Sequence, residues 1–115
     1  MVIRTKNGAK PFVLQRRQAK LVFEEAEYEG LEILTKLDVS TKLFLSMQAL
    51  TSSNLVEDQE RAMRLFGNEV LISWNLQEED GKKLPPDGDG FFSLPPNFAI
   101  KIITAWSEAS GKLGE

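Results

Sequence analysis

The residues of this sequence best suited to chemistry lie in an acidic, Gly/Pro-rich loop at 77–90. It contains five carboxylates: Glu78, Glu79, Asp80, Asp87 and Asp89. Carboxylate oxygens are the ligands that calcium prefers, and the run from Asp87 to Gly90 has the composition of half a calcium-binding loop. It lacks the twelve-residue ligand spacing and the closing bidentate glutamate of such loops. The sequence therefore predicts no metal site and no cofactor.

Catalysis is also disfavoured by the residue types that the chain lacks. It contains neither histidine nor cysteine, which removes the side chain that titrates near neutral pH and excludes thiolate chemistry. A nucleophilic serine or lysine needs an adjacent base, and no Ser-x-x-Lys or Gly-x-Ser-x-Gly pattern is present. Paired carboxylates for glycoside hydrolysis require an acid in an apolar pocket, whereas this cluster lies in a solvated loop. We therefore expect that the protein is not an enzyme.

Size and composition indicate one soluble domain. The chain has 115 residues, of which 42% are hydrophobic and 27% charged, as is ordinary for a globular protein. No apolar run approaches the roughly 20 residues that span a bilayer, and the first residues lack the apolar core of a secretory signal. These features predict a cytoplasmic protein without membrane contact.

Charge is distributed unevenly along the chain. Residues 1–20 contain six basic and no acidic side chains, whereas the remainder contains eight basic and 17 acidic ones. A solvated tail lying against its own acidic surface would explain this, and so would an arm for an acidic partner or nucleic acid. Nucleic acid is disfavoured because the leader has no helical basic stripe and only one aromatic residue, Phe12, for stacking. The predicted divisions are a basic leader (1–18), a globular domain (19–110) and a C-terminal tail (111–115).

The elements around these residues follow from apolar spacing. Residues 19–24 and 31–37 are rich in β-branched and aromatic types and predict a β-hairpin, with Leu31, Ile33 and Thr35 on one face. Such a hairpin is marginal alone, so one face must pack on helices. Residues 38–40 offer capping side chains, and an amphipathic helix is predicted after them from the spacing of Leu43, Phe44, Met47 and Leu50.

Two further helices are expected. The second begins at Ser53 or Asn54, and its predicted buried face comprises Ala62, Met63, Phe66, Val70, Leu71 and Trp74. Gly67 within it indicates a kink or a close backbone approach. The 77–90 loop is then either a solvated connection or a partner-binding loop, and a last helix spans Pro96 to Ala109, ended by Ser110-Gly111. The predicted fold class is α+β: a small N-terminal β-hairpin packed on a mainly helical domain of about three helices.

Two sets of apolar side chains are candidates for function. Trp74 and Trp106 each end an apolar stripe, so they are interpreted as core anchors, with binding hot spots as the alternative. The predicted partner-binding residues are adaptable side chains suited to binding another helix, although a place in the core is the alternative for them too. They are Leu43, Phe44, Met47 and Met63.

The order of several short motifs resembles one protein family. The motifs are Trp74-Asn75-Leu76, Glu79-Asp80-Gly81-Lys82, Leu84-Pro85 and Ile102-Ile103-Thr104-Ala105-Trp106. In this order they resemble the C-terminal half of tail assembly chaperones from long-tailed (siphovirus-type) bacteriophages. Phe23 and Gly30-Leu31-Glu32-Ile33 are similar to the usual beginning of that family. The resemblance covers about residues 20–109, and the basic leader departs from it.

This resemblance implies a late protein of viral tail assembly, acting in the cytoplasm of the bacterial host cell. Such chaperones are thought to hold the tape-measure protein while tail-tube subunits polymerise around it, without ATP and without remaining in the finished particle. The implied partners are the tape-measure protein, the tail-tube protein as a further candidate, and other copies of the chain. The alternative is a structural virion protein of the tail or the head–tail connector.

Overall fold

The predicted N-terminal hairpin is present and belongs to a larger sheet. The computed structural model describes residues 10–113. In it β1 (Gln18–Leu21) pairs antiparallel with β2 (Ile33–Lys36). Ile33 and Thr35 are fully buried on one face, as the alternation predicted. Between the strands the chain makes a single 3-10 turn and passes through Gly30, whose φ of 89° suits a residue without Cβ.

Four helices occur in the described chain: α1 (Thr41–Thr51), α2 (Val56–Glu69), α3 (Gly88–Phe92) and α4 (Pro96–Leu113). The start of α1 is confirmed, because the Ser40 hydroxyl accepts a hydrogen bond of 3.0 Å from the Leu43 amide. The start of α2 is shifted: Leu55 occupies its N-cap position, and the Ser53 hydroxyl accepts from the Leu55 amide instead. Pro96 begins α4 as predicted.

The second helix is shorter than predicted. It ends at Glu69, and Leu71–Trp74 forms a third strand, β3, which pairs antiparallel with the free edge of β2. The prediction of a helical face running through Leu71 to Trp74 is therefore wrong. The β-branched and aromatic residues of this stretch fit a half-buried strand, and pairing with β2 overrides the helical spacing. The sheet order is β1-β2-β3.

Two other boundaries differ from the prediction. α4 continues through Ser110 and Gly111 to Leu113, so the predicted cap is wrong; residues 114–115 of the predicted tail lie outside the described part of the chain. A glycine within a helix costs only about 1 kcal/mol, so it does not by itself end one. The 77–90 loop also contains regular structure: Gln77 and Lys83 form an antiparallel bridge, and α3 begins within the loop.

The sheet and the helices share one core, centred on Phe66. Its ring centroid lies 4.9 Å from that of Phe91 and 5.6 Å from that of Trp106, the latter edge-on. Trp106 is buried, as predicted for a core anchor, and donates its indole N–H to the Lys36 carbonyl at 2.8 Å. This bond ties α4 to β2. Trp74 is only partly buried and packs at the edge of the same core.

Part of the predicted basic leader lies in the described chain. Residues 1–9 are outside it, and residues 10–17 are exposed without regular secondary structure. Gln18, the last residue of the predicted leader, is the first residue of β1. Arg17 anchors this segment, because its guanidinium and its backbone N–H all donate to the Asp38 carboxylate at 2.7–2.8 Å. One cation of the leader is thus paired with the domain's own acidic surface.

Candidate partner-binding groove

An apolar groove lies between α2, α3 and the start of α4 and encloses about 250 Å³. Val56 and Met63 line it from α2, Phe92 from α3 and Ile100 from α4. The polar lining residues, Gln59 and Glu60, both belong to α2. A groove of this composition, bounded by helices, suits the apolar side chains of another protein segment.

The groove has a buried floor and an exposed rim. Phe91 and Ala99 form the floor and are 0% and 6% exposed. On the rim, Val56, Ile100 and Phe92 are 75%, 55% and 43% exposed. Single exposed apolar residues are common, whereas several around one concave surface mark an interaction site.

Backbone contacts between α2 and α3 hold one wall in place. A Cβ on Gly67 would lie 2.5 Å from the Asp87 carbonyl oxygen, and one on Gly88 would lie 2.7 Å from the Asn68 side-chain nitrogen. The Gly88 N–H donates to the Asn68 side-chain oxygen at 2.7 Å. The close backbone approach predicted at Gly67 is confirmed, and glycine is required on both sides of this contact.

The short helix α3 is equally constrained on its other side. A Cβ on Gly90 would overlap the Pro85 carbonyl oxygen. The Asp87 carboxylate caps the helix by accepting the Gly90 N–H at 2.9 Å. Together these contacts direct Phe91 into the core and leave Phe92 at the rim of the groove.

An ion-pair network borders the groove. The Arg64 guanidinium donates to Glu60 at 2.9 Å and also to Asp89. The hydrogen bonds to these carboxylates, Glu60 first, raise the pKa of Arg64, so this side chain stays charged. It also lies over the Phe92 ring, 4.7 Å from the ring centroid, which fixes the aromatic side chain at the rim.

The four predicted partner-binding residues do not lie on one surface. Met63 lines the groove. Leu43 and Met47 are partly buried against the core, in line with the core alternative. Phe44 is 53% exposed on α1 and does not line the groove. A binding role for the α1 residues stays a prediction.

Sequence analysis did not identify the three exposed apolar residues of the groove rim: Val56, Phe92 and Ile100. Ile100 carried a usable signal, because one helical residue is a rotation of about 100°, which takes it off the buried face of Ile102 and Trp106. An apolar residue off the buried stripe indicates an apolar outer surface. Val56 and Phe92 each follow another apolar residue in the sequence, so their spacing does not show which residue of the pair stays exposed.

The acidic loop residues have structural roles. Asp87 caps α3, Asp89 pairs with Arg64, and Asp80 accepts the Lys82 N–H at 2.9 Å. Within residues 10–113, no group of three or more histidine, cysteine or acidic side chains is placed to hold a metal ion. Nor does any helix in that range combine the length and hydropathy needed to cross a bilayer.

Three of the motif segments that carry the family resemblance are in contact with one another. The Asn75 side chain donates to the Gly30 carbonyl at 2.7 Å and accepts the Glu32 N–H at 2.9 Å. The Trp74 indole N–H donates to the Leu84 carbonyl at 2.8 Å. The segments at residues 30–32, 74–75 and 84 are therefore joined by hydrogen bonds of two adjacent side chains.

Comparison of the chain with protein-family models, with curated proteins and with solved structures found no match. The groove and the contacts among the motifs are therefore the basis for assigning a function.

Proposed function

We propose that this chain is a tail assembly chaperone of a long-tailed bacteriophage and binds an apolar helical stretch of the tape-measure protein. The groove between α2, α3 and α4 carries the proposal, since its exposed rim surrounds a buried apolar floor. An amphipathic helix laid in such a groove buries the side chains of one face. Covering that face keeps a long helical partner from aggregating before the tail tube encloses it.

The contacts among the motif residues support this role. Trp74 and Asn75 join the segments around Gly30, Glu32 and Leu84 through side-chain hydrogen bonds, a structural role for the residues of this motif. We further propose that the chain acts by binding, without catalysis or a cofactor, in the cytoplasm of the bacterial host. Two of the loop carboxylates that could have served as metal ligands or catalytic acids already have structural partners. Asp87 caps α3, and Asp89 forms an ion pair with Arg64. The tail-tube protein is the second proposed partner, and nucleic acid is not one.

Co-expression with the tape-measure protein tests the proposal, and a very long helical reading frame beside this gene identifies that protein. The wild-type chain should keep it in the soluble fraction, and Ile100→Asp should not, because it places a charge in the groove. Phe44→Asp is the matched control, since Phe44 and Ile100 are 53% and 55% exposed and only Ile100 lines the groove.

The outcomes separate the alternatives. Loss of solubility with Phe44→Asp and not with Ile100→Asp would move the site to α1. An insoluble partner in the presence of the wild-type chain would contradict the chaperone role. Detection of the chain in purified particles by mass spectrometry would favour a structural virion protein of the tail or connector.

A further inference from the structure

A second apolar surface is carried by residues 10–17, which we term the arm. Within it Phe12, Val13 and Leu14 are 92%, 71% and 61% exposed. Three consecutive apolar side chains in water favour association with another apolar surface.

We propose that the arm of one copy binds in the groove between α2, α3 and α4 of a second copy. Phe12, Val13 and Leu14 supply the apolar side chains, and the rim residues Val56 and Ile100 close over them. Every copy has both an arm and a groove. Exchange in both directions therefore gives a closed dimer with twofold symmetry.

The charges that flank the two surfaces are complementary. The arm contains three cations and no acid: Lys10, Arg16 and Arg17. The groove end of the fold has four carboxylates, which are Glu57, Asp58, Glu60 and Asp89, and two cations, which are Arg61 and Arg64. Opposite signs speed the encounter of the two surfaces and set the position of the arm. Arg17 is paired with the Asp38 carboxylate and Arg16 donates to the Asp38 backbone carbonyl at 3.3 Å, so Lys10 is the cation of the arm that these contacts leave for the second copy.

The exposure of the arm in the single chain favours a second copy over the chain's own groove. Arg17 and Asp38 border the same surface depression as Glu69, at the C-terminal end of α2. Gln59, in the middle of the groove, lies about 15 Å away along the helix axis, at 1.5 Å per residue. Leu14, three residues from Arg17, reaches about 10 Å when fully extended, and Phe12, five residues away, reaches about 17 Å. The arm is long enough for its own groove, yet in the single chain Phe12, Val13 and Leu14 are 92%, 71% and 61% exposed and do not line that groove.

This arrangement gives the groove an occupant when no partner is bound. That consequence rests on the proposed function, in which a tape-measure helix takes the groove and displaces the arm. The contact between arm and groove does not depend on the proposed function. It is therefore tested on the isolated chain, and a negative result there would not change the interpretation of the co-expression experiment.

Sedimentation velocity over a concentration series tests the contact. The wild type should approach twice the 12.9 kDa mass of one chain as concentration rises, and Phe12→Asp and Ile100→Asp should each keep the mass of one chain. Leu45→Asp is the control, because Leu45 is 53% exposed and lies outside both surfaces, and it should associate as the wild type does. Val56→Asp is a second groove variant for the case that Ile100→Asp melts at a lower temperature.

Mixing the two variants decides whether arm and groove bind each other. Phe12→Asp retains an intact groove and Ile100→Asp retains an intact arm, so an equimolar mixture should recover association through one arm–groove pair. A mixture that keeps the mass of one chain would overturn the proposal. A wild type that keeps this mass at every concentration would also overturn it, as would association that survives both single changes.

Discussion

The two ends of α2 carry similarly apolar residues but differ in what covers them. At the C-terminal end, Phe66 and Val70 are 0% exposed beneath the sheet and α4, whereas Leu55 and Val56 at the N-terminal end are 61% and 75% exposed. Both ends lower their free energy when apolar surface leaves water. At one end the chain's own fold achieves this, and at the other it leaves a groove. The comparison indicates that topology, not composition, decides which apolar surface stays uncovered.

The largest effect is expected at the covered end, from Trp106→Ala. The change removes the edge-on contact with Phe66 and leaves the Lys36 carbonyl without its hydrogen bond. We expect a loss of about 3–5 kcal/mol in the free energy of unfolding, against about 5–15 kcal/mol for a typical domain. Thermal denaturation followed by circular dichroism measures it. A melting temperature close to that of the wild type would mean that Trp106 is not a core anchor.

A smaller effect is expected between the two ends, from Gly90→Ala. The new Cβ would overlap the Pro85 carbonyl oxygen, so α3 must shift and move Phe91, the groove floor, with it. We expect a loss of about 1–3 kcal/mol, as for other overpacked sites, together with weaker self-association. Gly111→Ala is the matched control, because nothing lies within 4 Å of its Cβ in α4. Equal melting temperatures for the two variants would contradict the close packing of α3.

The elements that could be predicted from the sequence are those that local chemistry decides. The Ser40 cap and the hairpin alternation depend on neighbours a few residues away, and both are confirmed. β3 was missed because its pairing partner, β2, is distant in sequence, and an apolar run such as Leu71–Trp74 suits a helix and a strand alike. The same limit explains α4: Gly111 is compatible with both a helix end and a helix interior.

The groove was only partly predictable for a related reason. Helical spacing identifies the face that is buried, and Met63, chosen from that face as an adaptable side chain, lines the groove. Val56 and Phe92 become site residues only because α3 is folded back onto α2 through glycine contacts. Which apolar residues stay uncovered depends on that tertiary contact, and no local pattern encodes it.

The anchor of the arm gives a pH-dependent effect. Hydrogen bonds from Arg17, side chain first and then backbone, lower the pKa of Asp38 from 3.8 to about 2. Because the folded value is the lower one, the charged carboxylate stabilises the fold above about pH 4, and this contribution is lost as the pH falls toward 2. Asp38→Asn should melt below the wild type at neutral pH and together with it near pH 2. A difference that is constant with pH would mean that Asp38 does not act through its charge.

The smallest effect on stability is expected at the uncovered end, from Val56→Ser. Val56 and Val70 are the same residue type at opposite ends of α2 and are 75% and 0% exposed, so serine at each position tests the comparison directly. Val70→Ser should cost about 2 kcal/mol or more, because it removes fully buried apolar surface and adds a hydroxyl to the core. Val56→Ser should change the free energy of unfolding by no more than about 0.5 kcal/mol, as is usual for exposed positions.

Val56→Ser should nevertheless weaken the two processes proposed for the groove, which are self-association and retention of the tape-measure protein. The reason is that the rim loses one of its exposed apolar side chains. Urea denaturation of the two variants gives the stability change, and sedimentation gives the association. Equal destabilisation by the two substitutions, at a concentration at which the chain sediments as a monomer, would mean that the chain's own fold covers the N-terminal end of α2. The groove would then be closed, and the contrast between the two ends of the helix would not hold. A stable Val56→Ser chain that associates as strongly as the wild type would instead place the contact away from this part of the rim.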